Sequence, residues 1–505
     1  MFVVLLICLF LLALLCASWL YYSKYRSLIA LTSDWPSGPS WPLIGHAHYF
    51  LNIAPERMFE HLRELYAKYG RENRLKFWFG TELNLFTGNV HDIAELSTSL
   101  AYNQKSEHYG VLLNWLGEGL LISKGEKWLQ RRKLLTPAFH FTILKQFVEV
   151  FEQQASVLLA QLSASVNGEP LELFKPLSLY TLDVICETSM GVSIQAQTLA
   201  ESDYVRAVHI MKHVTHQRLS HLFYHFDFTY RWTPLAWEER KALKTLHGFT
   251  TRIIEQRRAE QLTKPTTLSA NGTAELGIKR KSNFLDILLN SEVNGEPLGN
   301  LDIREEVDTF IFEGYETTAT ALQFLFYNLA THAECQQRCY EELIEVFGHD
   351  PVHFEGLKNL RYIELCIKES LRLYPPVPAF ARKVVKQCQL NGLTVPAGTN
   401  ITVLPMYIGR LPEHFEEPDL FRPERFAAQS AGNTSNPFAF VPFSAGARNC
   451  VGQKFAMLEM KTVLVHVLRR FEFSYAGNQA PELMFGVTLC TRLPLLFHIK
   501  ERSVA

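Results

Sequence analysis

The segment Phe443-Ser-Ala-Gly-Ala-Arg-Asn-Cys450-Val-Gly452 constrains this chain more than any other, because it sets one cysteine between two glycines with a cation two residues before it. A lone thiolate in an apolar setting is costly, and it needs a metal, a nearby cation or backbone N–H groups to stabilise it. Gly446 and Gly452 supply bare backbone that can approach a large planar group, and Arg448 can reach a negatively charged edge of such a group. Phe443 offers an apolar lid. Read alone, the cysteine fits a buried, inert thiol in a Gly-rich turn better. The ten-residue context moves the balance toward a thiolate held against a flat metal cofactor.

At 505 residues, 47% hydrophobic and a formal net charge of -1, the chain can bury a deep core in one or two domains and shows no basic excess of the kind that nucleic acid attracts. Met1 to Tyr22 carries no charged residue and is rich in Leu, Val, Ile and Phe, with Lys24 and Arg26 directly after it. At about 1.5 Å per residue this run can cross a bilayer core of about 30 Å. A cleaved signal with Ala17-Ser18 near its cleavage site is the rival reading. The run is longer than a signal core, lacks a basic start and has its positive charges after it, so a single-pass anchor with the bulk of the chain cytoplasmic is expected. Nine scattered cysteines without CxxC spacing predict no disulfides. Asn271-Gly-Thr273 and Asn433-Thr-Ser435 would then stay bare on the cytoplasmic side.

Trp35 to Gly45 holds three prolines and two glycines, which forbids a helix and reads as a stiff strap. From Ala54 to Tyr69 the apolar residues recur at helical spacing, with Gly70 as the cap. Most of the chain beyond Gly70 also reads as helix, with short strand-like pieces at Arg74 to Phe86 and Gly392 to Leu404. Thr263 to Ser282 reads as an exposed loop, its Lys279-Arg-Lys281 a solvated cluster. No dinucleotide fingerprint is present, since Gly117-Glu-Gly119 lacks the third glycine and the preceding strand. Electrons for a redox reaction would therefore come from another protein.

Four further constellations carry chemistry. Glu306 to Thr318 lies in a long helical pattern, with Gly314, Glu316 and Thr317 in an apolar setting where an acid beside a hydroxyl is unusual. Gly314 and Thr317 share a face at i,i+3. There Gly314 can open room, Thr317 can hydrogen-bond the oxygen substrate and Glu316 can feed protons inward; in isolation, a packing notch and a back-bonded threonine serve as well. Glu369-Ser-Leu-Arg372 and Arg425 of Pro423-Glu-Arg-Phe426 can close a buried acid–guanidinium network. Trp128 and Arg132 stand one helical turn apart and offer donors to a pair of carboxylates. His209, His213, His216, His221 and His225 have metal-capable spacing but no acid or Cys partner in sequence, and solvated rings are the better reading.

These motifs, in this order, resemble the cytochrome P450 monooxygenases over essentially the whole chain after the anchor. The resemblance implies a mainly α fold, a helical bundle with a small β-rich part, with haem b between the Glu313 helix and the Cys450 helix. Cys450 would ligate iron, and Trp128, Arg132, Arg382 and Arg448 would hold the propionates. Phe443, Gly446 and Gly452 would line the ring. Gly314, Glu316 and Thr317 would form the oxygen-activating segment, and Glu369, Arg372 and Arg425 a structural triad. Glu313 stands where the family at large has a small residue and where its family 4 branch carries Glu, and so implies an ester to a haem methyl; a protonated or solvated acid is the alternative. Gly409-Arg410 departs from the usual His-Arg and puts local packing in question.

The implied organisation is an anchor over 1–22, a Pro/Gly-rich hinge over 23–53 and a catalytic domain over 54–505, on the endoplasmic reticulum membrane. The implied reaction is hydroxylation of a lipophilic substrate, a fatty acid or related lipid at or near its terminal methyl. It would use O2 and electrons from NADPH through a cytochrome P450 reductase, with cytochrome b5 as a second donor. Arg131, Lys133, Lys454 and Lys461 can form a basic face for such a partner, or an ordinary solvated one. Leu112, Leu113, Leu116, Leu120, Val377, Phe380, Phe485 and Val487 are candidate pocket residues, and Leu219, Leu222, Phe223 and Phe226 can touch substrate or membrane. Hormone or xenobiotic oxidation, an electron-independent thiolate-haem isomerase and a haem sensor remain as rivals.

Overall fold

The computed structural model describes residues 22–502 except 42–43, 81, 199–202, 221–223, 225–226, 264–282, 294 and 428–435, together with 12, 15, 16 and 19. Most of the expected anchor, both Asn-X-Ser/Thr sites and nearly all of the Thr263 to Ser282 loop thus lie outside the described residues. Among the described residues no helix is long and apolar enough to cross a membrane. The chain forms two compact units, one from residues 1–107, 379–408 and 436–449, the other from 108–378, 409–435 and 450–505.

The first unit is built on a five-stranded sheet ordered Arg74–Phe79, Glu82–Thr87, Asn400–Val403, Phe380–Lys383, Gln104–Lys105. Its first two strands form an antiparallel hairpin with Arg74 opposite Thr87, and Asn400–Val403 joins that hairpin in parallel. Helix α1 (Met58–Tyr69) ends where the Gly70 N–H reaches the Tyr66 carbonyl. Helix α2 (Val90–Thr98) begins at Asn89, whose side chain accepts from the N–H groups of His91 and Asp92. Leu85, Ile93, Ile401 and Val403 pack with Trp35 and Trp78 in the core. The strap expectation needs correcting at Trp35. Residues 22–31 before it are helical, and Trp35 is buried with its indole N–H on the Thr394 carbonyl at 3.1 Å. A large aromatic with a polar handle is better buried in this core than left exposed beside prolines.

The second unit is mainly helical. In chain order it contains α3 (Gly125–Leu135), α4 (Phe141–Ser163), α5 (Phe174–Ile185, run on by a π turn to Met190), α6 (Asp203–Ser220), α7 (Pro234–Thr263), α8 (Asn300–Thr331), α9 (Ala333–Phe347), α10 (Arg361–Leu373) and α11 (Gln453–Arg470). A three-stranded sheet of Phe471–Tyr475, Leu496–Glu501 and Leu171–Glu172 and a hairpin of Leu483–Phe485 with Leu489–Thr491 supply the β structure. From Glu305 to Leu329, helix α8 is buried nearly all round, polar side chains such as Glu306, Asp308 and Glu316 included. Phe455 of α11 packs edge-on against Phe147 and Phe151 of α4, which fixes the helix that comes after Cys450.

Candidate active site

Between Glu305 and Leu329 of α8, the residues that keep appreciable accessible surface are Glu313, Gly314 and Thr317. They form one short stripe at i, i+1 and i+4, and every neighbour is buried. Helix α8 runs unbroken through Gly314, so the glycine does not open the hydrogen-bond ladder. Its role is close approach: a Cβ there would fall 2.6 Å from the Ile185 side chain of α5. The Thr317 hydroxyl donates to the Glu313 carbonyl at 2.6 Å, the back-bonded arrangement. Glu316 also departs from the simplest expectation. Its fully buried carboxylate turns to Lys212 of α6 and to the Thr488 hydroxyl at 3.0 Å. Lys212 is 104 positions away in sequence, and nothing in the local pattern points to it.

Cys450 is the last residue before the turn into α11. Its side chain is accessible, yet enough protein surrounds it that lost hydration pushes the thiol up to about 12. The Glu313 charge adds to the rise, and the Gly452 backbone N–H and the Arg132 guanidinium oppose it. Arg132 is itself held below its ordinary value by burial, against the charges of Cys450 and Glu313. Cys450, Glu313 and Arg132 therefore share one electrostatic neighbourhood. A thiol placed so is a poor thiolate by itself and a good one under a metal cation, which deprotonates a coordinating sulfur outright. The Cys450 sulfur, with the Gly452 N–H and the Arg132 guanidinium near it, fits as a haem-iron ligand.

Trp128 is buried on α3, and Arg132 stands one turn later, half-buried. The adjacent stripe of α3 fastens the helix to α8. Lys127 meets Glu305 at 2.9 Å and Asp302 at 3.4 Å, and Arg131 meets Asp302 at 2.7 Å and Glu306 at 3.6 Å. Glu306 also accepts the Leu120 N–H at 2.9 Å, which ties the loop before α3 to the same point. The rotation of α3 about its axis is thereby fixed, and with it the side on which Trp128 and Arg132 project.

In the first unit, Arg382 and Arg448 line one pocket with Tyr102 and Asn103. The Arg382 guanidinium reaches the Ser444 hydroxyl at 3.3 Å, and Arg448 Nε donates to the Asn103 carbonyl at 2.9 Å. Gly446 has φ +70, and a Cβ there would fall 1.7 Å from the Ser97 carbonyl, so no other residue fits this turn. Phe443 is half-buried in the same loop.

Glu369 of α10 gathers the buried network. It accepts from Arg372 at 2.7 and 2.8 Å, from Arg425 at 2.9 Å and from the Arg422 backbone N–H at 2.8 Å. Arg372 continues to the carbonyls of Gly409, Pro418 and Leu420. Gly409 thus enters the network through its backbone, and Arg410 bonds the Leu373 carbonyl. The departure at this turn leaves the packing intact.

The family model for cytochrome P450 matches residues 36–499. The chain belongs to the cytochrome P450 family. It is 48% identical over 492 residues to cytochrome P450 4d1 of Drosophila melanogaster, covering 96% of each chain. To cytochrome P450 4V2 of Homo sapiens it is 41% identical over 438 residues, covering 86% of this chain and 82% of that one. Both of these relatives are family 4 members, and as a cytochrome P450 the chain is a haem-containing monooxygenase.

Several expectations for this P450 need correction. Arg131 and Lys461 are buried, Arg131 in the clamp to α8 and Lys461 against Glu364 and the Leu357 carbonyl, so neither belongs to a partner face. Lys133 and Lys454 remain exposed. Leu113 is 43% exposed, whereas Leu116 is fully buried core, so neither has the half-open character of a pocket residue. Leu112, Leu120 and Phe380 are buried, and Val377, Phe485 and Val487 are half-buried. His216 Nδ1 lies 3.2 Å from the Phe485 carbonyl, His209 packs on Phe174, and His221 and His225 lie outside the described residues. Among the described residues no cluster of His, Cys, Asp and Glu could hold a metal ion. Leu222, Phe223 and Phe226 also lie outside them, and Leu219 is exposed.

Proposed function

We propose that this P450 is a membrane-anchored monooxygenase that hydroxylates a fatty acid or related lipid at or near its terminal methyl, with electrons passed from NADPH by a reductase. The observation that carries this reading is the Glu313, Gly314 and Thr317 stripe, the accessible part of an otherwise buried helix, with Glu313 in electrostatic contact with Cys450. Haem bound through Cys450 would supply reductive activation of O2, so that one oxygen enters a C–H bond and the other leaves as water. Trp128, Arg132, Arg382 and Arg448 would hold its propionates, and Phe443, Gly446 and Gly452 would border the ring. The uncharged run Met1 to Tyr22 would anchor the chain to the endoplasmic reticulum, residues 23–53 would lead into the catalytic domain over 54–505, and exposed Lys133 and Lys454 would meet acidic groups of the reductase or cytochrome b5.

A free Glu313 carboxylate raises the Cys450 thiol and so works against the ligand. Ester formation to a haem methyl removes that charge. The carboxyl gives up its proton, the methyl gives up a hydrogen as the C–O bond forms, and one hydrogen peroxide from uncoupled turnover takes the two electrons and becomes two waters. The tether would also narrow the approach to the site, which favours attack at a chain end. Extraction with acidic organic solvent should leave haem on the turned-over protein and strip it from Glu313→Ala. Complete extraction from the parent overturns the ester. Equal terminal and internal hydroxylation in the two proteins overturns its role in regiochemistry. The thiolate is tested first, by the Soret band of the dithionite-reduced protein under carbon monoxide.

A further inference from the structure

Two buried thiols meet between α9 and α10. Cys339 Sγ lies 3.6 Å from Cys366 Sγ, and both residues are fully buried. The register that brings them together is fixed on both sides of the contact. Just before Cys339, the Arg338 guanidinium lies over the Tyr362 ring, 3.9 Å from its centroid, and both side chains reach Glu424, the phenol at 3.3 Å. Just after it, Glu342 accepts the backbone N–H groups of Arg361, Tyr362 and Ile363 at 2.7, 2.6 and 2.9 Å. Cys366 then stands one helical turn before Glu369, where the buried acid–guanidinium network begins.

A cysteine used only as a small hydrophobe needs no second sulfur opposite it. Two sulfurs in contact are within a side-chain rotation of a disulfide, whose S–S bond is about 2.0 Å. The surface is one turn away along α9, at half-buried Cys335. Burial holds the Cys366 thiol above its ordinary range, so the pair reacts slowly and stays reduced in a thiol-buffered compartment. Among the described residues no cluster could hold a metal ion, which leaves oxidation as the chemistry these two thiols can share.

We propose that Cys339 and Cys366 form a reversible disulfide under sustained peroxide, and that this bond braces α9 against α10 beside the Glu369 network and slows haem loss. The oxidant is hydrogen peroxide, which a monooxygenase releases when O2 is reduced without oxidation of substrate. Peroxide converts one thiol to a sulfenic acid and releases one water. The second thiol displaces the hydroxyl as another water, and the S–S bond forms. Two thiols thus give two hydrogens and two electrons to one peroxide. A free thiol such as glutathione reopens the bond by exchange. The bond joins positions 27 apart, so it also restricts the unfolded chain. The inference needs turnover only as a source of peroxide and is independent of which substrate the site takes.

The test uses the full-length, membrane-bound, haem-loaded protein. One sample is exposed to hydrogen peroxide and a second to diamide; each is unfolded with an alkylating agent, digested without reductant and read by mass spectrometry. Both should yield a cross-linked peptide joining Cys339 to Cys366, two hydrogens lighter than the reduced pair and split by dithiothreitol. The oxidised protein should lose haem in urea about threefold more slowly than the reduced protein, and dithiothreitol should restore the faster rate. Cys339→Ala and Cys366→Ala should each abolish both effects, whereas Cys335→Ala should keep them. If an alanine variant fails to take up haem, the cross-link in the parent and its reversal carry the test. Thiols that stay open to alkylation after both oxidants, or that pass to sulfinic acid without a cross-link, overturn the site. A cross-link that leaves the rate of haem loss unchanged overturns the brace.

Discussion

Two buried ionic clusters in the second unit differ in one respect. Around Glu369, both carboxylate oxygens are occupied and the two guanidiniums continue to backbone carbonyls. Along α8, Glu306 and Asp308 keep oxygens held by looser ion pairs at 3.6 to 3.7 Å, and Glu316 keeps Oε2 without a hydrogen bond. A closed network in a low-dielectric interior has one stable arrangement, and disturbing it is expensive. An open one relies on water and on protonation, so it can exchange protons without unfolding. The first cluster is built to stay fixed, and the second to respond to pH.

The largest effect that would break this contrast is expected at Glu369. Glu369→Ala strands two buried guanidiniums and should cost about 3–5 kcal/mol, with loss of haem on expression. Asp308→Asn changes a carboxyl that closes no such network and should cost less than about 1 kcal/mol in chemical unfolding. Equal losses in the two variants would erase the distinction. Next in size is Arg131→Ala, which removes the α3 clamp from Asp302 and Glu306 and should destabilise by about 2–3 kcal/mol. Weaker haem retention should accompany it, because Trp128 and Arg132 lose their fixed direction. Arg131→Lys should recover part of both.

The contrast can be sharpened with pH. Burial pushes both Glu306 and Asp308 up to about 8, so the folded state binds their protons more tightly than the unfolded chain does. Their contribution is fully present below the ordinary carboxyl range and is lost as pH rises through about 8. Stability measured by urea unfolding should therefore fall between about pH 4.5 and 8. Glu306→Gln together with Asp308→Asn should flatten that slope. The smallest effect lies at the surface. Charge reversal at Lys133 and Lys454 should raise the KM for reductase a few-fold at low salt, lose its effect at high salt, and change stability by less than about 0.5 kcal/mol.

How much of this is legible before folding depends on how far apart the partners sit. The Cys450 loop, with its glycines and Arg448, is a local pattern, and ten consecutive residues carry it. Glu369 and Arg372 are one helical turn apart, and the Pro423-Glu-Arg-Phe426 motif supplies the third member. The strands Arg74–Phe79, Glu82–Thr87 and Asn400–Val403 and helix α1 also come from local pattern, whereas Gln104–Lys105 and Phe380–Lys383 do not. Arg131 and Lys461 read as candidate surface cations because both lie beside other charged residues or in an amphipathic run, and only acids brought from elsewhere in the second unit decide that they are buried. Glu316 poses the same problem, since its partners Lys212 and Thr488 are 104 and 172 positions away.

The chemistry is written in local pattern: a thiol between glycines, an indole and a guanidinium at helical spacing, a glutamate where a small residue is usual, and a cytochrome P450 as their sum. Tertiary structure decided which of the charged groups meet. It made Gly314 a notch for Ile185 and turned Thr317 back on its own helix, and it sent Glu316 to Lys212 and buried Asp308 beside His247 and Arg304. Local propensity and spacing act within a turn or two of chain, whereas hydration and pairing of a buried charge depend on whatever distant segment packs beside it. That second question has no answer until the chain has closed on itself.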